Sequence, residues 1–278
     1  MNVERTVTMN YPIHTCLFTA LQFHGRELLS IAMSNEWLWF ENHLNLSFPA
    51  FIKKYQQSIV LVAFDIEYIR PFEFFDANDF DVSVVKVRLR QKDSVFEFHH
   101  EFTANNIAFA RVVLYWRLLV LSGDEALTAQ PGQLGKELLQ LFLPEEIDPS
   151  NIVRAVPKQR SKIEAEGQFI TENSFHFTLY RHQCELADQW SFIELPTLAS
   201  AGREQLIVSL DDDPANLSST MGRPIQNILA KLSCPFFLFD EGRVRTCAYS
   251  LNNKIVFVHH VVNISRADTL AAVVIENF

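Results

Sequence analysis

Two segments of this sequence recur further along the chain, and this internal repeat restricts the possible folds more than any other feature. Pro71–Asp76 (PFEFFD) resembles Pro235–Asp240 (PFFLFD), and Val95–His100 (VFEFHH) resembles Ile255–His260 (IVFVHH). The pairs lie 164 and 160 residues apart and occur in the same order. A repeat at a nearly constant offset indicates two copies of one structural unit, each of about 120 residues.

The repeat divides the chain into two units joined by a linker. We expect the first unit at residues 1–121, the linker at residues 122–160 and the second unit at residues 161–278. Within the linker, Gln133–Phe142 has the apolar spacing of a short helix. The linker is also rich in turn-forming residues, namely Gln130-Pro131-Gly132, Pro144, Pro149 and Pro157.

Each unit is predicted to contain a long helix and several antiparallel strands. Glu27–Leu46 is apolar on most sides, as expected of a buried helix. Asp188–Leu210 is the corresponding helix, kinked or broken at Pro196, and Arg223–Leu232 is a further helix. The predicted strands are His14–Phe23, Ser58–Ile69, Phe80–Arg90, Val95–Thr103, Ile107–Val120, Phe175–Gln183, Phe236–Phe239, Arg243–Leu251, Ile255–Ile264 and Thr269–Ile275. This order predicts an α+β fold with a helix against one face of a sheet.

Charge and cysteine content exclude several classes of protein. The chain of 278 residues has a formal net charge of −9 and no cluster of Lys and Arg, which disfavours binding to nucleic acid or to an anionic membrane. Its longest apolar stretch, Ile107–Leu121, is interrupted by two arginines and is too short to span a bilayer. The four cysteines lie far apart without a C-x-x-C pair, unlike a zinc site or a secreted disulfide framework. The N-terminus has no apolar core of signal-peptide length, so we expect a cytoplasmic protein.

The first unit resembles a known family in its strand region. Ile66–Pro71 (IEYIRP) followed by Asp76, and the strands from Phe80 onward, resemble the corresponding turn and strands of hot-dog proteins that act on acyl thioesters. This resemblance covers most of residues 57–120. It implies a double hot dog, in which each unit is an antiparallel sheet wrapped around a long buried helix.

The resemblance also implies a substrate class and a location for the site. Double hot-dog proteins act on acyl groups carried by coenzyme A or acyl carrier protein, and their sites lie at the interface of the two units. Most are thioesterases or dehydratases, and a rarer branch in polyketide pathways transfers or decarboxylates acyl groups. We therefore expect no cofactor beyond the coenzyme A or phosphopantetheine of the substrate, and a homodimer is possible.

The sequence departs from the catalytic motif of these thioesterases, which often read Asp-x-x-Gly-His-x-Asn-Asn before the helix. The first unit has HGRELLSIAMSNEW there, with no such Asp and no Gly-His pair. The second unit offers a better match, because Glu185 takes the Asp position, Asp188 the Gly position and Gln189 the His position, followed by Trp190. We expect Gln189 and Trp190 to contact the substrate.

Thioester hydrolysis needs a base for water and a hydrogen-bond donor for the carbonyl oxygen. A backbone N–H at the start of a buried helix can be that donor. Glu185 or Asp188, just before the predicted helix of the second unit, is then the candidate base. The alternative is that Asp188 caps the helix and Glu185 is solvated.

Further candidates lie on both units. Asn35 and Glu36 interrupt the apolar helix of the first unit and are predicted to face Glu185 and Asp188 across the interface; the alternative is a solvent-facing helix surface. A Glu in apolar surroundings has a raised pKa, which suits acid–base catalysis.

His182 is a candidate base for dehydration, or a partner for Cys184 as nucleophile, and the alternative is a structural role. Tyr68 is a candidate substrate contact. The paired histidines His99-His100 and His259-His260 have no carboxylates at metal-binding spacing, so no metal site is predicted.

The sequence thus predicts an acyl-thioester enzyme, with hydrolysis as the first hypothesis. Acyl transfer, decarboxylation or dehydration in a natural-product pathway is the second hypothesis, since the thioesterase motif is incomplete. The third is a non-catalytic double hot dog that binds an acyl chain or a carrier protein.

Overall fold

The computed structural model describes residues 6–120, 130–148, 155–185 and 188–278. In these ranges the helices are α1 (Gly25–Leu44), α2 (Phe48–Tyr55), α3 (Lys136–Leu139), α4 (Ala155–Glu166) and α5 (Leu195–Val208). The strands are β1 (Val7–Pro12), β2 (Gln57–Tyr68), β3 (Asp79–Arg90), β4 (Val95–Ala104), β5 (Ile107–Val120), β6 (Gln130–Pro131), β7 (Ile147–Asp148), β8 (Gln168–Thr178), β9 (Asn227–Leu232), β10 (Glu241–Leu251), β11 (Lys254–Asn263) and β12 (Thr269–Asn277).

One continuous sheet runs through both units, in the strand order β1-β3-β4-β5-β2-β9-β12-β11-β10-β8. The first five strands of this order belong to the first unit and the last five to the second. Read from the middle outward, each half has the same arrangement: a central strand, three antiparallel strands and an outer edge strand. The two halves meet where β2 pairs with β9, and we call this junction the seam.

Helix α1 packs against strands β1, β3 and β5 of the first half-sheet and is buried there because it is apolar nearly all round. Ten of its residues are buried, among them Leu28, Trp39 and Phe40. His24 caps its start, and Asn45 ends it in the left-handed conformation with φ of 52°. Helix α5 occupies the equivalent place in the second unit, with Pro196 in its first turn.

The two units repeat each other down to single hydrogen bonds. Asp76 accepts from the backbone N–H of Glu73 at 2.8 Å, and Asp240 accepts from the N–H of Phe237 at 2.9 Å. The first segment of the sequence repeat therefore forms the same turn in both units. Each of these turns follows the central strand of its half-sheet.

Helix α4 covers the outer face of the second half-sheet. Its Val156 and Ile163 form a small separate core with Cys247, Tyr249 and Val258 of the sheet. The first half of the helix lies in the segment predicted as a linker, and the second half lies in the predicted second unit. Residues 122–129 and 149–154 of the predicted linker lie outside the described residues, and the boundaries of the two units stay a prediction.

Most strand predictions hold to within a few residues, and the errors have local causes. The predicted strand Phe175–Gln183 is displaced, because β8 spans Gln168–Thr178 and residues Arg181–Gln183 form a 3₁₀ turn. The segment Arg223–Leu232, predicted as a helix, contains the seam strand β9, which pairs with β12 on one side and with β2 on the other. The segment Asp188–Leu210 becomes helical only at Leu195, because proline is tolerated in the first turn of a helix but not in its interior. His14–Phe23 is a short 3₁₀ turn and a hairpin rather than a strand, and Phe236–Phe239 contributes only an isolated bridge at Phe237.

None of the helices in the described ranges is long and apolar enough to cross a membrane.

The paired turns give a stability test with an internal control. Asp240 also accepts hydrogen bonds from Asn263 at 2.8 Å and Arg266 at 3.2 Å, whereas Asp76 holds only its own turn. We expect Asp240→Ala to lower the free energy of unfolding by about 2–3 kcal/mol, and Asp76→Ala by about 1 kcal/mol or less. Urea denaturation followed by circular dichroism measures both, and equal losses would contradict the assignment.

Candidate active site

The helices of the two units approach most closely at their starts, beside the seam. A Cβ atom added to Gly25 would lie 3.3 Å from Pro196 Cβ, 3.3 Å from Ile228 Cδ1 and 3.4 Å from the Tyr68 hydroxyl. Each distance is tighter than an ordinary contact, so a glycine at this position lets the start of α1 pack against the second unit. The seam and the start of α1 therefore belong to one structural junction.

A tight hairpin delivers the chain into α1. Phe18 pairs with Phe23 across it, and the Thr19 hydroxyl accepts from the N–H groups of Leu21 and Gln22 at 3.2 and 3.1 Å. The His24 Nδ1 atom then accepts from the N–H of Arg26 at 3.4 Å and caps the helix. The first turn of α1 thus follows the hairpin without an intervening loop.

A groove of about 490 Å³ opens at this junction. Both units contribute to it: the hairpin, His24, Gly25 and Tyr68 come from the first, and α5 with residues 220–228 from the second. We call it the helix-start groove. Its polar side chains are Thr19, Gln22, His24, Tyr68, Thr197, Ser200, Arg203, Glu204, Thr220 and Arg223.

Charged groups from both units meet at the start of α1. The Arg26 guanidinium binds Glu27 of its own helix at 2.6 Å and Glu194 of the second unit at 2.9 Å. Burial lowers the pKa of His24, although Glu27 and Glu194 oppose this shift. At neutral pH His24 is therefore an uncharged imidazole between a helix start and two carboxylates.

Four of the sequence-predicted residues lie together in the hairpin that precedes α5. Cys184 pairs with Trp190, and Glu185 N–H donates to the Gln189 carbonyl at 2.7 Å, just as Thr19 N–H donates to the Gln22 carbonyl in the first unit. Glu185 is thus the structural counterpart of Thr19. Its side chain keeps contact with solvent, but partial burial of the carboxyl group raises its pKa to about 7.

The other members of this hairpin have structural partners. Asp188 has φ of 54° and binds Arg181 at 2.7 Å, and the cap position of α5 belongs to Glu194. Gln189 forms a bridge with Phe237, and Trp190 is buried. Residues 186 and 187, which complete the matched motif, lie outside the described residues.

His182 and Cys184 lie in and after a 3₁₀ turn, not in a strand. His182 is exposed and stacks on Tyr180. The Cys184 thiol donates to the Tyr180 carbonyl at 3.5 Å, and burial raises the pKa of this thiol. The spacing argument that places both side chains on one strand face therefore does not apply.

Asn35 and Glu36 are fully buried inside the first unit rather than exposed on a helix surface. The Asn35 amide donates to the backbone carbonyls of Val82 at 2.7 Å and Val7 at 3.4 Å, which ties β1 and β3 to the helix. Glu36 Oε1 lies 3.7 Å from His100 Nε2. Within the described residues, no contact joins Asn35 or Glu36 to the hairpin before α5.

The surroundings of Glu36 keep it uncharged. Burial raises its pKa well above the ordinary value of 4.5. Burial also lowers the pKa of His100 to about 3. In the described part of the chain neither carboxyl oxygen of Glu36 has a hydrogen-bond partner, nor has His100 Nε2. The first unit therefore contains a neutral, incompletely bonded polar centre.

The second unit has a corresponding centre that is charged and bonded. His259 lies 3.3 Å from Glu276 and 2.9 Å from the Thr246 hydroxyl, and Glu276 also pairs with Arg203. Burial opposes ionisation of Glu276, but Arg203 and His259 lower its pKa. This centre is a structural ion-pair network; the sequence singled out His259 as one of the paired histidines of the repeat, but not Glu276 or Thr246 as its partners.

The start of α5 is covered by aromatic rings. Phe192 packs edge-on against Trp116 of the first unit with ring centroids 5.2 Å apart, and Trp37 lies 6.0 Å from Trp116. Of the two equivalent helix starts, the one at α1 is thus lined by polar groups and open to solvent.

Among the sequence-predicted residues, Tyr68 lies in the helix-start groove. His24, Glu27 and Glu194, which lie at the start of α1 or contact Arg26 there, were not predicted as site residues.

Nowhere in the described ranges do three or more His, Cys, Asp or Glu side chains come together as a metal site would require.

No protein-family model matches the sequence. No curated protein matches it either.

Solved structures nevertheless match almost the whole chain. A protein assigned as an oleoyl thioesterase from Lactobacillus plantarum has a TM-score of 0.70 at 9% identity, covering 98% of this chain and 94% of its own. An acyl-ACP thioesterase from Bacteroides thetaiotaomicron has a TM-score of 0.67 at 10% identity, with 99% and 98% covered. A 12:0-ACP thioesterase from Umbellularia californica has a TM-score of 0.65 at 6% identity, with 99% and 97% covered. At such low identity this likeness establishes the fold, and it confirms the predicted double hot dog of class α+β.

The polar centre of the first unit makes a testable pH prediction. In the unfolded chain Glu36 releases its proton near the ordinary pKa of 4.5, whereas the folded protein retains this proton to a higher pH. The free energy of unfolding of the wild type therefore falls as pH rises from 4.5 to the pKa of Glu36 in the folded protein. Glu36→Gln has no such proton. We expect the variant to become more stable than wild type by up to about 1.4 kcal/mol per pH unit over that interval.

Denaturation midpoints of both proteins between acidic and neutral pH measure this difference. Glu41→Gln, an exposed change on the same helix, serves as the control and should run parallel to wild type. Parallel curves for Glu36→Gln as well would show that Glu36 ionises in the folded protein.

Proposed function

We propose that this protein hydrolyses acyl thioesters in the helix-start groove. The observation that carries the proposal is His24 at the start of α1, which lines a groove between the two units. Burial lowers the pKa of His24, and the carboxylates of Glu27 and Glu194, one from each unit, act on it from outside the groove lining. The fold supports the proposal, because the three full-length structural matches compared above are described as acyl thioesterases, one of them by assignment. Acyl groups on coenzyme A or on acyl carrier protein are the proposed substrates, and the chemistry needs no cofactor beyond the pantetheine they carry.

The start of α1 supplies donors for the carbonyl oxygen of the thioester. In an uncharged His24 whose Nδ1 accepts from Arg26, the proton lies on Nε2, which can donate to a ligand. The N–H of Gly25 has no acceptor among the described residues, and the positive end of the helix dipole lies at the same place. These donors stabilise the negative charge that develops when water attacks the thioester.

A carboxylate near this point activates the water. Glu27 and Glu194 are held there by Arg26, one from each unit, so that the junction of the two units assembles the base and the donors together. The water loses its proton to a carboxylate, its oxygen bonds to the carbonyl carbon, and the thiolate of the carrier leaves and takes up a proton. The products are a free acid and a free thiol.

The test is release of acid and thiol from a panel of acyl-CoA and acyl-ACP thioesters, followed by mass spectrometry. We expect turnover by the wild type, and Glu27→Gln or Glu194→Gln should lower kcat about 100-fold or more. Glu41→Gln, an exposed Glu-to-Gln change at the far end of α1, is the matched control and should leave the rate unchanged.

Three outcomes would contradict the proposal. Loss of turnover in Glu185→Gln alone would move the base to the hairpin before α5. A stable acyl adduct on the protein would indicate acyl transfer instead of hydrolysis. Binding without release or adduct would indicate a non-catalytic protein that carries or senses acyl groups.

A further inference from the structure

The outer face of the second half-sheet, opposite α5, carries basic side chains that the proposed function does not use. A Cβ atom added to Gly202 of α5 would lie 2.5 Å from Thr246 Oγ1 and 3.2 Å from Val244 Cγ1, so these two residues of β10 face the helix. Successive side chains of a strand point to opposite faces of the sheet. Arg243 and Arg245 of the same strand therefore point to the outer face.

A cavity of about 540 Å³ lies over these two arginines. His176 of β8 is paired with Arg243, and His260 of β11 is paired with Arg245. Both histidines line the cavity, together with Ser174, Val262 and Leu270. Two arginines and two histidines thus face one cavity in a chain whose formal net charge is −9. We call it the basic cavity.

A smaller cavity of about 200 Å³ adjoins the basic cavity and shares Leu270 with it. Arg160 of α4 and Lys231 of β9 add positive charge here, and the rest of the lining is Val156, Pro157, Ser233 and Val273. Burial and, after it, the charge of Arg160 lower the pKa of His260, so Arg160 also lies close to the basic cavity. A strip of basic side chains therefore crosses the outer face from β8 to β9.

The carboxylates that pair with the two arginines are exposed at the rim of the basic cavity. Glu172 binds Arg245 at 2.5 Å, with side chains 44% and 51% exposed, and Asp268 lies 3.5 Å from Arg243, with side chains 65% and 39% exposed. Ion pairs as exposed as these are weak. A phosphate group forms shorter and stronger hydrogen bonds with an arginine, so it can displace Glu172 and Asp268.

Part of the hydrogen-bonding capacity of the strip is unused. Within the described ranges, His260 Nδ1 and Arg160 Nε are buried without a hydrogen-bond partner. Glu164 Oε1 approaches both side chains, at 3.7 Å from His260 Nε2 and 3.5 Å from Arg160 Nε, without a hydrogen bond to either. Buried polar atoms are usually hydrogen-bonded. These two side chains can therefore turn toward a ligand without losing an existing hydrogen bond at those atoms.

We propose that this strip is a second ligand site, which binds an organic diphosphate such as a nucleoside diphosphate. The diphosphate lies in the basic cavity, where Arg243 and Arg245 bind its oxygens. The organic group attached to it extends past Leu270 into the smaller cavity, where Val156 and Val273 provide apolar surface. The site faces away from α5, so it goes beyond the proposed function and does not depend on it.

Calorimetric titration of the full chain with ADP, with inorganic pyrophosphate and with adenosine tests this inference. We expect ADP and pyrophosphate to bind and adenosine not to bind. Arg243→Gln should weaken binding of both anions about tenfold or more, because it removes one arginine from the diphosphate. Arg111→Gln is the matched control and should leave both affinities unchanged. It makes the same change of charge at an arginine that is 54% exposed, lies 3.3 Å from Glu101 and lines neither cavity.

Ser233→Trp supplies the second arm, because it fills the smaller cavity from an exposed position just after β9. It should weaken ADP binding about tenfold and leave pyrophosphate binding unchanged. Coenzyme A contains the same diphosphate group and distinguishes the source of the ligand. A parallel loss of coenzyme A affinity in Arg243→Gln would identify the carrier as that source, and an unchanged affinity would identify a separate nucleotide.

Three results would overturn the inference. The first is no binding of ADP or pyrophosphate to the folded wild type. The second is an equal loss of affinity in Arg243→Gln and Arg111→Gln, which would indicate a response to net charge alone. The third is adenosine binding as tightly as ADP, which would exclude the diphosphate as the recognised group.

Discussion

The pairing of β2 with β9 is the interaction on which the rest of the structure depends. Backbone hydrogen bonds from Ala63–Glu67 to Asn227–Lys231 join two half-sheets that would otherwise each end in an exposed edge. The same pairing brings the starts of the two long helices together, since each helix lies on its own half-sheet. The helix-start groove opens at this junction. The site is therefore a product of the seam, and neither unit alone contains it.

Duplication preserved the backbone of the two units more closely than their chemistry. The sequence repeat aligns His100 with His260, but the buried histidine of the second unit is His259, which stacks below Phe257 as His100 does on Phe98. Each centre also contains one carboxylate, but Glu36 comes from the helix and Glu276 from a strand. Arg203 provides the second centre with a countercharge, while the first stays neutral. Equal folds thus hold unequal electrostatic environments.

The sequence predicted those parts of the fold that depend on local pattern. The strand β3 follows from alternation of apolar and polar side chains, and the long α1 follows from its apolar composition. The strand β9 was missed because its short apolar run Ile228–Ala230 has no alternation of apolar and polar residues to distinguish it from a helix, although its side chains alternate in burial. Its strand state is imposed by pairing with β2 and β12, which is a long-range interaction.

The candidate site was less predictable for the same reason. Tyr68, which the sequence analysis gives as a candidate substrate contact, lines the groove. Glu194 could not be found in the same way, because it reaches the candidate site through its contact with Arg26, 168 residues away in sequence. His24 carried a usable local signal, since a side chain with an acceptor just before a helical run is a cap candidate. The resemblance to thioesterases directed attention to the hairpin of the second unit instead, where the motif letters matched best.

The hairpin before each long helix, and the segment that joins it to the helix, explain why the two helix starts differ. Four residues separate the paired Phe18 and Phe23, whereas five separate Cys184 and Trp190. After its hairpin the first unit enters α1 directly at His24, but the second inserts the 3₁₀ turn Phe192–Glu194 before α5. That turn places Phe192 on Trp116 and carries Glu194 across the seam to Arg26. The insertion thus covers the start of α5 with aromatic rings and adds a carboxylate at the start of α1, so that the two helix starts differ in both exposure and charge.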